Sequence, residues 1–172
     1  MDTYTNLAIS SIRHYLTNGK MLACPHNLPE VFLNKQAGVF VSLHNKSDNS
    51  LRGCIGTFRP TEPNMAAEII NNAVSAAFSD PRFPPLAKDE LENLDINVDV
   101  LSSPEKILTL ENHDPEKYGL IVRSDSRHTG LLLPDIGVET AEEQFLICCE
   151  KGNIDPSDKK IELFRFTVER HK

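Results

Sequence analysis

Tyr4, Ala8, Ile12, Tyr15 and Leu16 recur at the spacing of one helical face. They predict a helix over Thr3–Asn18, with Asp2 as its cap and Gly19 as its stop. The stretch Cys24-Pro25-His26-Asn27-Leu28-Pro29 reads as a loop, because its two prolines block regular structure. Gly38–His44 is rich in Val, Phe and Leu and reads as a strand. The polar run Asn45–Asn49 then turns into a second strand over Ser50–Phe58, making a hairpin. Asn64–Ser79 carries the broadest apolar stripe of the chain: Met65, Ala66, Ile69, Ile70, Ala73, Val74, Ala77 and Phe78. The proline-rich run Asp80–Pro85 stops that helix.

Further on, Asp89–Leu94 reads as a short helix, and Ile96, Val98 and Val100 alternate with Asn97 and Asp99 as a half-buried strand. Gly119–Ser124, a turn at Asp125-Ser126, and Thr129–Leu133 predict another hairpin. Thr140 and Glu143 form a capping box at the start of the last helix, in which Phe145, Leu146 and Cys149 face inward and which Gly152 ends. Glu162, Phe164, Phe166 and Val168 share one face of a C-terminal strand. Helices and hairpins follow one another without regular βαβ alternation. That order predicts an α+β fold with a mostly antiparallel sheet and flanking helices. A chain of 172 residues fits one domain, residues 1–172, or two closely packed sub-lobes.

Composition narrows the function classes. The net charge is −7, lysines and arginines are scattered, and Trp is absent. A basic stripe and stacking aromatics, the usual equipment for nucleic acid, are both missing, so nucleic-acid binding is disfavoured. No apolar stretch approaches the ~20 residues that span a bilayer. The start Met1–Thr5 lacks the basic and apolar segments of an export signal. The four cysteines, Cys24, Cys54, Cys148 and Cys149, form no CxxC pair. They are expected to be reduced thiols of a cytoplasmic protein.

The run Leu51-Arg52-Gly53-Cys54-Ile55-Gly56 holds the candidate chemistry. Side chains alternate along a strand, so Arg52 and Cys54 share a face and Leu51, Gly53 and Ile55 take the other. If the apolar face meets the core, Arg52 and Cys54 turn toward solvent or a cleft. A nearby cation favours the thiolate, which is the nucleophilic form. Gly53 and Gly56 bare the strand around the sulfur, which would let a substrate come close. The same residues also fit a small cysteine packed beside glycines that shape a bulge. His44 is the nearest candidate base. It joins Arg52 and Cys54 only if Ser42 lies opposite Cys54; with Val41 there instead, His44 goes to the other face. A solvated histidine at a strand end is the simpler reading of it.

In Asp80-Pro81-Arg82-Phe83-Pro84-Pro85 the prolines hold Arg82 in a fixed place. That suits recognition of a carboxylate or phosphate, and equally an ion pair with Asp80 or a helix end. Cys24 with His26 supplies two metal ligands, half a site at best, so no metal is expected. No phosphate loop, GxSxG elbow or HExxH helix is present, and the residues name no cofactor.

The hexapeptide Leu51–Gly56 resembles the signature of the AMMECR family, also called AmmeMemoRadiSam system protein A. Gly38–Leu43, Asp80–Pro85 and Gly130-Leu131-Leu132-Leu133-Pro134 match that family in order, so the resemblance spans nearly the whole chain. It implies a two-lobed α+β fold with a groove near the signature cysteine. It also implies the company of a Memo-like protein and a radical SAM enzyme as partners. By position it carries over Cys54 as candidate nucleophile, Arg52 beside it, and Arg82 with Gly53 and Gly56 as the substrate-binding set. Two stretches depart from the family. Ser126-Arg127-His128-Thr129 is less basic than usual, and no tryptophan stands near Val138–Glu142.

Overall fold

The computed structural model of the chain describes residues 2–125 and 127–172. Of the turn expected at Asp125-Ser126, Ser126 lies outside the described residues. The chain divides into two compact units, Met1–Leu101 with Glu169–Lys172, and Ser102–Val168. Each carries its own antiparallel sheet and its own core, and the fold is α+β.

In the first unit, helix α1 (Thr3–Asn18) ends at Gly19, whose φ of 65° is the left-handed conformation that favours glycine. Asp2 occupies its N-cap position, but its side chain makes no capping hydrogen bond; it pairs instead with His171, which stacks on Tyr4. A short helix α2 (Glu30–Asn34), not legible in the loop-like sequence around it, buries Phe32. Strands β1 (Val39–Asn45) and β2 (Leu51–Thr57) form the expected hairpin. Helix α3 (Met65–Phe78) follows, capped by Asn64 Oδ1, which accepts from Ala67 N–H. The short helix expected over Asp89–Leu94 is a single 3₁₀ turn, Leu91–Asn93, and it leads into β3 (Leu94–Leu101).

The first sheet has the order β2-β1-β3-β8, where β8 is Val168–His171, so β2 is an edge strand. Val39, Val41, Leu43 and Val98 are fully buried on one face, against Leu7, Ile12, Ile69 and Ala73 of the two long helices. Phe40, Ser42, His44 and Asn97 lie half-buried on the other face.

The second unit holds β4 (Glu105–Ile107), β5 (Gly119–Arg123), β6 (Thr129–Leu132), helix α4 (Ala141–Gly152) and β7 (Glu162–Phe166). Its sheet order is β4-β7-β5-β6. Thr140 caps α4 as read from the sequence, Glu143 N–H donating to Thr140 Oγ1 at 3.1 Å, but the Glu143 carboxylate accepts from Glu139 N–H at 3.3 Å and so closes on the residue before the cap. Gly130 is required by close approach, since a Cβ there would stand 1.7 Å from the Cys148 carbonyl oxygen of α4. The single C-terminal strand expected through Val168 is two strands in two different sheets. The break falls at Thr167, whose N–H and carbonyl are taken by Ser102 Oγ and Ser102 N–H.

Candidate functional site

Cys54 sits mid-way along the edge strand β2, directly opposite Ser42 of β1. Of the two hairpin registers open from the sequence, the structure adopts the one with Ser42 opposite Cys54. Gly53 and Ile55 face the core, so Cys54 turns to the other face with Ser42, and its residue is part-exposed. The backbone N–H and carbonyl of Cys54 point outward from the sheet edge. There the loop after α3 meets both of them. Cys54 N–H donates to Asp80 Oδ2 at 2.9 Å, and Arg82 Nη2 donates to the Cys54 carbonyl at 3.3 Å. Asp80 and Arg82 together imitate the neighbouring strand that an edge lacks.

Asp80 is nearly sealed, with 4% of its surface exposed. Besides Cys54 N–H it accepts from Arg82 N–H at 3.0 Å, Arg82 Nε at 3.0 Å and Arg82 Nη2 at 2.7 Å. These bonds, the Arg82 side chain first, hold its carboxyl well below the ordinary carboxylate range, although burial works the other way. Arg82 is held charged in return, first by its bonds to Asp80, although burial works the other way. Its side chain remains 55% exposed. The sequence left open whether Arg82 pairs with Asp80 or presents itself to an anion. It does the first through Nε and Nη2 and keeps an exposed guanidinium edge beside the thiol.

Arg52 corrects the alternation argument. The register slips between Leu43 and His44, so that His44 faces Leu51 and Arg52 is the extra residue of a β-bulge. Arg52 therefore does not follow Cys54 outward. It is 8% exposed, and its Nε and Nη2 grip both oxygens of Glu90 at 2.8 Å and 3.1 Å, while Nη2 also reaches the Pro84 carbonyl at 3.0 Å. The bond from Arg52 chiefly lowers the Glu90 carboxyl, so this ion pair is a clasp on the 84–90 loop. Phe83 lies between the two arginines, 5.9 Å from the Arg52 guanidinium and 5.5 Å from that of Arg82.

The bulge also moves His44 away from its expected partner. Its Nδ1 contacts the Asn49 carbonyl of the hairpin turn at 3.2 Å. The two glycines make room for the protein itself. A Cβ on Gly53 would stand 2.3 Å from the Ala76 carbonyl oxygen of α3, and one on Gly56 would meet the Phe40 ring at 2.2 Å. Gly53 thus lets β2 lie directly on α3, and Gly56 takes an aromatic ring across the strand pair.

The sequence reading missed Glu68, which lies inside the apolar stripe of α3 and is wholly buried. It accepts from Thr57 Oγ1 at 2.5 Å, Thr61 N–H at 2.8 Å, Thr61 Oγ1 at 3.0 Å and Glu62 N–H at 2.8 Å. Burial opposes its charge, but these donors win, and its carboxyl lies below its ordinary value. Glu68 ties down the segment that leaves β2. Its only signal in sequence was a carboxylate, followed four residues later by Asn72, within an otherwise apolar run.

Among the described residues no group of three or more His, Cys, Asp or Glu is placed to hold a metal ion. A cleft of about 510 Å³ in the first unit is lined by α1 residues such as Thr5, Ile9 and Arg13, and by His44, Asp95 and Asn97. A shallower hollow of about 270 Å³ is lined by Leu22, Cys24 and Ile70. Cys54 lines neither. Cys148 and Cys149 are packed in the core of the second unit, and burial pushes the Cys148 thiol up to about 12. No helix is long and apolar enough to cross a membrane among the described residues.

Two antiparallel sheets, the first packed with α1, α2 and α3 and the second with α4, and a glycine-flanked cysteine clamped at a sheet edge define a class of α+β protein. The AMMECR1 family model matches residues 5–171, and the chain belongs to that family. A protein of Thermotoga maritima is 49% identical over 170 residues, covering 98% of this chain and 97% of that protein. One of Clostridium acetobutylicum is 47% identical over 173 residues, although this chain accounts for 36% of its length. The crystal structure of an uncharacterized protein from Pyrococcus horikoshii matches with a TM-score of 0.89 and 32% identity, covering 97% of this chain and 88% of that one.

Proposed function

We propose that this protein works through Cys54 as a reactive thiol, whose anionic form is favoured by Arg82. The observation that carries the reading is the clamp: Asp80 fixes Arg82 so that Nη2 rests on the Cys54 carbonyl, with more than half of the arginine side chain exposed. A fixed cation beside a part-exposed cysteine is the setting that lowers a thiol pKa. Arg52 takes no direct part; it secures the loop that carries Phe83 and Pro84. On this reading the protein is a small enzyme, or the thiol-bearing component of one, acting in the reducing cytoplasm. The family resemblance points to a Memo-like protein and a radical SAM enzyme as the partners to try.

The test is competitive labelling of the native protein with iodoacetamide, read by peptide mass spectrometry. Cys54 is expected to label fastest of the four thiols, and Arg82→Ala to slow it about tenfold while leaving Cys24 unchanged. Cys54 labelling no faster than Cys24, indifferent to Arg82, would sink the proposal.

A second reading has its own support. The Asp80–Pro85 loop covers a sheet edge and exposes Arg82 together with Pro84 and Pro85, a surface suited to another protein. In that case a Memo-like or radical SAM partner co-purifies with Cys54→Ser but is lost from Arg82→Ala. Equal retention by both variants argues against it.

A further inference from the structure

The first sheet has a stretch of open edge on β3. Cys54 N–H and carbonyl both point away from β1, so in this antiparallel pair Ser42, opposite, turns its own N–H and carbonyl toward β3. Asn97, opposite Ser42, turns its pair back toward β1. The same alternation holds at both ends of the ladder, where Lys46 N–H donates to the Asn93 carbonyl and Leu101 N–H to that of Gly38. Ile96, one residue from Asn97, therefore points its N–H and carbonyl to the far side of β3. That side belongs to β8, but β8 stops short. It runs antiparallel to β3, sets Arg170 against Asp99 and ends one residue later, at His171. Ile96 lies beyond that end, and among the described residues no side chain or loop bonds its main chain.

Ile96 and Lys172 both line the cleft of about 510 Å³, so the cleft continues the track that β8 leaves. The Ile96 side chain belongs to the core, and what this residue offers the cleft is main chain. Thr5, Ile9 and Arg13, four apart along α1, make another wall. An N–H beside a carbonyl on one strand edge selects the occupant. A phosphate or carboxylate could use only the donor, whereas an extended peptide main chain supplies both an acceptor and a donor at that spacing. The charges select its side chains. Arg13 and Glu92 bind each other at 2.8 Å. Lys46 Nζ is held on the Glu92 carbonyl at 2.8 Å and, like Lys172, pairs with no carboxylate among the described residues. Two unpaired ammonium groups against one unpaired carboxylate, Asp95, leave the cleft cationic on a chain of net charge −7.

From this we infer that the cleft is a docking site for an extended, acidic peptide segment of another protein, added to the first sheet as a strand beside Ile96. Ile96 N–H donates to a carbonyl of the segment, the Ile96 carbonyl accepts from one of its N–H groups, and its acidic side chains reach Lys46 and Lys172. Cys54 does not line this cleft, and the docking does not depend on the thiol.

The probes are acetylated, fluorescent hexapeptides in which valine alternates with Glu, Gln or Lys, titrated against the full chain by anisotropy. A copy of the Glu peptide is methylated at every main-chain nitrogen, which removes strand pairing and keeps the side chains. The Glu peptide is expected to bind tightest and the Lys peptide weakest, and the methylated copy to lose about tenfold or more. Lys46→Glu, an exposed position, is expected to weaken the Glu peptide about tenfold and to strengthen the Lys peptide. Hydrogen exchange at the Ile96 amide, fast in the free protein, slows when the Glu peptide is bound. Cys54→Ser leaves every one of these values unchanged. Equal affinity for the three peptides, a methylated copy that binds as well as its parent, or no binding of any peptide at millimolar concentration overturns the inference. So does an Ile96 amide already protected in the free protein. A dimer that forms without peptide and is broken by Lys46→Glu overturns it too, since a second copy would then fill the cleft.

Discussion

At the scale of single residues, the first unit contains two carboxylates with opposite neighbourhoods and the same consequence. Asp80 is neutralised by an arginine, while Glu68 is held without a cation by hydroxyls and backbone N–H groups. Replacing Glu68 by Gln sets an amide N–H₂ against donors that have nowhere else to turn. Urea denaturation is expected to show a loss of about 2–4 kcal/mol. Both carboxyls lie below their ordinary values in the folded protein. A depressed folded pKa contributes stability that is fully present above the unfolded carboxylate pKa, near pH 4, and is lost as pH falls through the folded value. Stability measured against pH is therefore expected to fall less steeply below about pH 4 in Asp80→Asn and Glu68→Gln than in the native protein. Identical acid limbs would show that neither carboxylate carries the charge assigned to it.

At the scale of elements, β2 is held from three sides: by β1, by the Ala76 carbonyl beneath Gly53, and by the Asp80–Arg82 clamp. Gly53→Ala places a methyl group against helix backbone, which cannot rotate aside. It is expected to cost about 3 kcal/mol or more in thermal or chemical denaturation. Gly19→Ala meets open space but keeps a φ of 65°, so it costs about 1 kcal/mol. Much of this architecture was legible in sequence, because periodicity and capping residues are local signals: Thr3–Asn18, the hairpin and the Thr140 cap follow from them. The bulge at Arg52 was not. Nothing in Leu51-Arg52-Gly53 distinguishes regular alternation from an inserted residue, and the partner that Arg52 takes, Glu90, stands 38 positions away. Cys54 and Arg82 were both readable as candidates. Their joining through Asp80, and the placing of Ser42 opposite Cys54, required the register and the edge position of β2.

At the scale of the whole molecule, the four thiols divide between the two units. Cys24 and Cys54 belong to the first, Cys148 and Cys149 to the second. Cys148 is wholly buried, donates to the Leu120 carbonyl at 3.4 Å, and keeps its proton at neutral pH. An aromatic disulfide reagent is expected to modify Cys24 and Cys54 in the native protein, and Cys148 and Cys149 only as the second unit unfolds. Each pair then reports on one unit along a denaturant series. Modification of Cys148 in the native state would contradict the packing of α4 on β5 and β6.

The most direct measurement is a pH titration of thiolate absorbance at Cys54, taken as the difference between the native protein and Cys54→Ser and repeated with Arg82→Gln. A midpoint below the ~8.5 of an ordinary cysteine, moving up toward it once the guanidinium is gone, is the predicted result. A midpoint at or above that value in the native protein, unmoved by the arginine, would contradict a thiol activated by the clamp.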